Sequence, residues 1–128
     1  MYIHIDFNSD EAIYMQLYHQ IIMGIALQEM KPGDSLPSVR QLAELTGINM
    51  HTVNKAYSFL RQDGFLTIDR RRGAVISIEV DKNASLKKLK KSLQPILAKG
   101  YCKNITKEDV YRIVDELYGY YDGEIEED

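Results

Sequence analysis

With 128 residues and 14.8 kDa, the chain has room for about one compact domain and a short appendage, and its 45% hydrophobic content excludes a disordered composition. A single cysteine, Cys102, excludes a disulfide framework; the longest apolar run, Ile21 to Leu27, is far below the roughly 20 residues of a membrane span, and the first residues lack a secretory signal pattern, so a cytoplasmic location is expected. The formal net charge of -3 does not exclude a polyanionic partner, because residues 31–78 carry seven basic residues against four acids and residues 82–103 carry seven lysines and no acid, and a bound phosphate responds to the local patch.

In chain order, the apolar spacing predicts an amphipathic helix over residues 10 to 29. Ile13, Leu17, Ile21 and Ile25 recur every four residues beside Tyr14, Tyr18 and Ile22, with Ser9 or Asp10 as cap and Lys31-Pro32-Gly33-Asp34 as stop. Ser38 and Gln41 have capping-box spacing for a short helix that buries Val39, Leu42, Ala43 and Leu45 and closes at Thr46-Gly47. Asn49 caps the next helix, residues 50–63, whose stripe of Val53, Ala56, Tyr57 and Leu60 opposes a polar face of Met50, His51, Thr52, Asn54, Lys55 and Ser58. Two short helices about a glycine-containing turn describe a helix-turn-helix.

Two β-rich runs follow, Phe65–Ile68 and Ala74–Ile78, separated by Asp69-Arg70-Arg71-Arg72-Gly73. They read as a hairpin, which makes the whole a winged helix-turn-helix over residues 1–79. Residues 79–83 are a linker. A helix from Ala84 carries Leu86, Leu89, Leu93 and Leu97 at steps of three, four and four, with Pro95 expected to kink or interrupt it and Gly100-Tyr101 expected to form a bend. Thr106 and Asp109 open a last helix that buries Val110, Ile113, Val114 and Leu117, ahead of a frayed acidic tail, Glu124 to Asp128. The fold class is therefore mainly α with a small β-hairpin: a winged helix followed by a two-helix dimerisation tail at 80–128.

Catalytic chemistry has no constellation here. His4, His19, His51 and Cys102 share no metal-ligand spacing, no glycine-rich loop cradles a phosphate, and no nucleophile has a base beside it. No catalytic residue, cofactor or metal is expected. Double-stranded DNA is the expected partner. Recognition helices use their first turns in the major groove, which selects Asn49, Met50, His51, Thr52, Asn54 and Lys55. Three adjacent arginines serve no packing purpose, whereas a phosphate backbone offsets their repulsion; Arg70, Arg71 and Arg72, with Gly73, are the expected wing contacts, and Arg72 or its neighbours could equally enter a minor groove. Arg40, beside the capped start of its helix with Ser38, suits a phosphate, the alternative being an ion pair with Glu44 at i,i+4.

The run Pro32-Gly33-Asp34-Ser35-Leu36-Pro37-Ser38-Val39-Arg40-Gln41-Leu42-Ala43 resembles the PGxxLPSxRxLA signature of the GntR family of bacterial winged-helix regulators. Thr52-Val53-Asn54-Lys55-Ala56-Tyr57-Ser58-Phe59-Leu60, Asp63-Gly64-Phe65-Leu66 and Ile13-Tyr14-Met15-Gln16-Leu17 extend the likeness, with Ala12 where the family usually has proline. The short tail and the Asn49-x-x-Thr52-Val53-x-Lys55-Ala56-Tyr57 spelling are similar to the YtrA-like subfamily. The resemblance implies a homodimeric repressor on a palindromic operator, often near genes for an ABC transporter. It places Arg40, Thr52 and the basic wing in the DNA interface, while Met50 and Asn54 depart from the residues common at those positions, so the operator read by His51, Asn54 and Lys55 need not match that of a relative.

The tail stripes, Leu86, Leu89, Leu93, Leu97, Val110, Ile113, Val114 and Leu117, are expected to be exchanged across a two-fold interface with a second copy of the chain; the alternative is packing back on their own winged helix. The lysines of 82–103 either add phosphate contacts or balance the acidic end. Two rival readings stay open: a winged helix used for protein contact, and a regulator with an unknown small-molecule effector in a pocket between winged helix and tail, lined by Tyr101, Tyr111, Tyr118 and Tyr121.

Overall fold

The computed structural model describes residues 3–126. The chain divides into two compact units, Met1–Glu79 and Val80–Asp128.

The first unit has three helices, α1 (Ile13–Ala26), α2 (Val39–Thr46) and α3 (Met50–Gln62), and a hairpin of β1 (Leu66–Asp69) and β2 (Gly73–Ile76). α1 and α2 both pack on α3, which also contacts β1. The core between them holds Leu17 and Ile21 of α1, Leu42 of α2, Val53, Ala56 and Leu60 of α3, and Leu66 and Ile76 of the hairpin. Fully burying one such aliphatic side chain stabilises a fold by about 1.5–3 kcal/mol. The strands pair antiparallel with Leu66 opposite Ile76 and Asp69 opposite Gly73. The segment before α2 adds a short third edge: Gly33 N–H donates to Ile76 O (2.7 Å), Ile76 N–H to Asp34 O (2.9 Å) and Leu36 N–H to Ala74 O (2.8 Å).

α1 is shorter than its apolar spacing predicts. It begins at Ile13 behind Ala12, with no side-chain cap, and ends at Ala26; Ser9 and Asp10 lie outside it, Ser9 Oγ accepting the Glu11 N–H in a local turn (3.1 Å). The stop comes before Pro32. Gln28 adopts φ +62°, and the N–H groups of Glu29 and Met30 both donate to Gly24 O, a left-handed closure that satisfies carbonyls at the helix end. Leu45 is 77% exposed rather than buried, because the eight residues of α2 turn that side away from α3.

Among the described residues, Gln16 is the one buried polar side chain of this core, and it clamps the N-terminal segment to α1. Its Nε2 donates to Asp6 O and Glu11 O, and its Oε1 accepts the Asp6 N–H, each at 2.9 Å.

The second unit contains α4 (Lys82–Cys102) and α5 (Lys107–Tyr121). α4 starts two residues earlier than the pattern suggests, capped by Asp81, whose Oδ1 accepts the Ala84 N–H (3.2 Å). It runs unbroken through Pro95. Proline removes a single N–H donor, and on this exposed helix solvent can satisfy the freed carbonyl of Lys91. The expected bend at Gly100-Tyr101 is likewise displaced: both residues are helical, and the chain turns at Asn104 (φ +63°), with Ile105 N–H donating to Gly100 O and the Ile105 side chain lying over Gly100. Thr106 and Asp109 form the reciprocal capping box of α5. α5 closes in the same manner as α4, Gly123 at φ +75° and Ile125 packed over the buried Gly119. Of the acidic tail, residues 127 and 128 lie outside the described residues.

Replacing Gln16 by leucine leaves the Asp6 N–H and two carbonyls without their partner, so a destabilisation of about 1–3 kcal/mol is expected; urea unfolding of the pure protein measures it, and an unchanged midpoint would contradict the clamp.

Candidate nucleic-acid interface

The starts of α2 and α3 and the turn between them are built by local hydrogen bonds. Ser38 Oγ accepts the Gln41 N–H (3.1 Å) while Gln41 Oε1 accepts the Ser38 N–H (3.0 Å). Gly47 closes α2 in the left-handed conformation (φ +73°), where a side chain would be strained. Asn49 Oδ1 accepts the His51 N–H (2.7 Å) and so starts α3. One longer-range bond ties the two helices: Tyr57 Oη donates to Pro37 O (2.6 Å) from a buried position. Burial pushes the Tyr57 hydroxyl well above the ordinary tyrosine range, which keeps it a proton donor.

With Val53, Ala56, Tyr57 and Leu60 buried, α3 turns Met50, His51, Asn54, Lys55 and Ser58 to the exposed side and leaves Thr52 half-buried at the edge. Ser38 and Asn49, both read from the sequence as DNA-facing, use their side-chain oxygens as helix caps. Arg40 is exposed in the first turn of α2 and, among the described residues, makes no ion pair with Glu44 or any other acid.

The hairpin tip is a three-residue loop, Arg70 to Arg72, closed by Gly73 at φ +75°. Asp69 organises it. Its Oδ1 accepts the backbone N–H groups of Arg71 (2.7 Å) and Arg72 (3.0 Å), and these bonds, that of Arg71 first, hold its carboxyl below the usual aspartate value. The three arginines are not equivalent. The Arg72 guanidinium turns back to donate to Gly33 O and to Ser35 Oγ (3.2 Å), bracing the wing against the segment before α2. Arg70 and Arg71 are exposed, and among the described residues their side chains have no hydrogen bond or ion pair.

Sequence reasoning missed three contributors. Asp69 was readable, since an aspartate opening a tight turn commonly accepts backbone N–H groups two and three residues on. Tyr57 read only as one more apolar position, and nothing in its spacing announces the carbonyl of Pro37. Tyr14 read as part of the α1 stripe, but its ring stacks on Phe59 (centroids 5.6 Å apart) and lies 4.0 Å beneath Lys55 Nζ.

In the second unit, Leu86, Leu89, Leu93 and Leu97 of α4 and Ile113, Val114 and Leu117 of α5 are all exposed, and Val110 is half-buried. α4 and α5 do not pack along one another, so neither covers the other's stripe. Tyr101, Tyr111 and Tyr118 are exposed, Tyr121 is half-buried against the edge of Tyr118, and Cys102 is exposed and free. Among the described residues no cluster of three His, Cys, Asp or Glu side chains could hold a metal ion, and no helix is long and apolar enough to cross a membrane.

Residues 13–76 match the model of the family described as bacterial regulatory proteins, gntR family. The chain is 32% identical to the HTH-type transcriptional regulator YhcF of Bacillus subtilis over 81% of its length and 88% of that protein's. It is 31% identical to the HTH-type transcriptional repressor YtrA of the same organism, covering 90% of this chain and 91% of the relative. Among solved structures, YtrA from Sulfolobus acidocaldarius, a GntR-family transcription factor, shares 45% identity over 71% of this chain and 96% of its own, with a TM-score of 0.59. A helix-turn-helix with an arginine-tipped wing, matched through its whole length by one family of regulators, leaves a single assignment: the chain belongs to the GntR family of bacterial regulatory proteins, which are sequence-specific DNA-binding regulators and not enzymes.

Proposed function

We propose that the chain is a homodimeric, cytoplasmic transcriptional repressor of the YtrA-like subfamily that binds a palindromic operator. The observation that carries the reading is the pair of uncovered apolar stripes on α4 and α5, in a chain whose other unit is a DNA-binding winged helix. Exposed apolar stripes of this kind mark an association site, and a second copy presenting the same stripes closes a two-fold assembly. Two winged helices then address half-sites about one DNA turn apart, or a multiple of it. The repressor role is drawn from the relative named YtrA in Bacillus subtilis.

In this reading the first turns of α3 enter the major groove, where His51, Asn54 and the exposed Met50 meet base edges and Thr52 lies at the rim. Arg40, Arg70 and Arg71 neutralise phosphates, while Ser38 and Asn49 keep their helix starts in register and Arg72 braces the wing with Gly73 as its pivot. Electrostatic attraction to the backbone supplies sequence-independent grip, and the α3 face supplies preference.

A gel shift at low ionic strength against fragmented source DNA tests the whole reading. Retained fragments sharing an inverted repeat are expected, and an absence of any shift would refute it. Arg40→Ala and Arg71→Ala should each weaken operator and random DNA alike and make the plot of log affinity against log salt shallower by about 0.9 for each phosphate no longer neutralised; unchanged slopes would contradict the phosphate roles. Asn54→Ala should instead erode preference by about 1–3 kcal/mol at the base it reads, seen as a relaxed position when the mutant selects from randomised sites. Leu89→Asp with Leu93→Asp should give monomers; sedimentation still showing dimers at micromolar concentration would take α4 out of the interface.

A further inference from the structure

Lys55 stands apart from the other exposed residues of α3. Its ammonium lies 4.0 Å from the centroid of the Tyr14 ring on α1, and that ring is stacked in turn on Phe59, one helical turn beyond Lys55. Phe59 also meets the edge of Tyr18, whose hydroxyl donates to Asp63 at the end of α3. The platform is therefore fixed to both helices. Among the described residues Lys55 forms no ion pair.

We propose that Tyr14 is a positioning residue for DNA binding: its ring, backed by Phe59, holds the Lys55 ammonium at the flank of α3 and commits it to a backbone phosphate rather than to a base. The choice of an aromatic partner matters. A carboxylate beside Lys55 would hold the ammonium but neutralise it, whereas an aromatic face attracts a cation through its quadrupole and leaves the full charge available to an anion. The direction of the hold matters as well. A helix is about 10–12 Å across with its side chains and the major groove about 12 Å wide. A side chain directed into the groove floor meets base edges, and one drawn sideways toward a neighbouring helix meets the phosphates of the groove wall. A free lysine is a flexible, strongly hydrated point charge; restraining it before binding reduces the freedom given up when the complex forms.

The proposal rests on the reading that α3 lies in the major groove, and equilibrium binding of the full-length protein to its selected site and to random DNA, across a salt series, keeps the two failures apart. If the wild type binds neither DNA, the groove reading itself fails. If it binds, Lys55→Ala is expected to weaken both DNAs by the same factor and to make the salt slope shallower by about 0.9. Tyr14→Leu is expected to lose part of that affinity in the wild-type background and none in the Lys55→Ala background, while Tyr14→Phe, which keeps the ring, binds as the wild type does. Equal losses from Tyr14→Leu in both backgrounds, or a loss in Tyr14→Phe, would overturn the proposal by giving Tyr14 a role of its own. A relaxed base preference in Lys55→Ala would overturn it by making Lys55 a base reader. A measurement on the unmutated protein covers the case in which Tyr14→Leu does not fold: the ε-methylene protons of Lys55 should show an upfield ring-current shift in the NMR spectrum, and unshifted resonances would overturn the hold.

Discussion

The burial of Val53, Ala56, Tyr57 and Leu60 along one side of α3 is the constraint on which the interface depends. Leu17 and Ile21 of α1, Leu42 of α2 and Leu66 of β1 close over that stripe in one core, and rotation of α3 about its axis would drag those side chains into water. At about 1.5–3 kcal/mol for each buried aliphatic residue, the helix has one rotational setting. That setting is what turns His51, Asn54 and Lys55 outward together. The hydrogen bond from Tyr57 to Pro37 and the two side-chain caps then place the N-terminal turns of α2 and α3, leaving the exposed arginine of α2 and the polar residues of α3 on rigid supports.

The wing follows a different logic, that of a charged tip made rigid by one carboxylate. Asp69 takes up two backbone N–H groups of the loop, which shapes the turn without neutralising any guanidinium. Arg72 is turned inward to the segment before α2, which already runs alongside β2 as a third edge. Two of three adjacent like charges therefore project from a short loop. Their mutual repulsion is a local expense that a phosphate backbone would offset in the proposed complex, and division of labour among neighbours is how one sequence run supplies both a brace and an exposed, charged tip.

The tail shows the opposite balance. Its helices are well begun and well ended, by Asp81 and the Thr106–Asp109 box at their starts and by left-handed residues with an isoleucine over a glycine at their ends. Along their lengths they bury almost nothing. Local signals alone seldom stabilise isolated helices, whose stability in proteins comes mainly from an apolar face packed on a partner. The proposed dimer supplies that partner.

Elements whose signals are local were legible from the residues alone: the Ser38 and Thr106 capping boxes, the Asn49 cap, the left-handed Gly47 and the stripes at helical spacing, because each depends on atoms within a few residues. The hairpin was legible for the same reason, although β1 lies one residue later than its β-rich run and β2 starts one residue earlier and ends two earlier than its own. Errors gathered where local signals compete. Pro95 was expected to disturb α4 but removes only one donor from an exposed helix, and α1 was expected to run to residue 29 but ends at Ala26, where Gly24 accepts two N–H groups. The exposed polar face of α3 was readable as a set, since polar residues opposite an apolar stripe must meet solvent or a ligand. Their separate roles were not. Arg72 as a brace, Lys55 over Tyr14 and Tyr57 on Pro37 join residues 20 to 41 positions apart in the chain, and only the packing of α1, α2 and the hairpin around α3 brings those partners within reach.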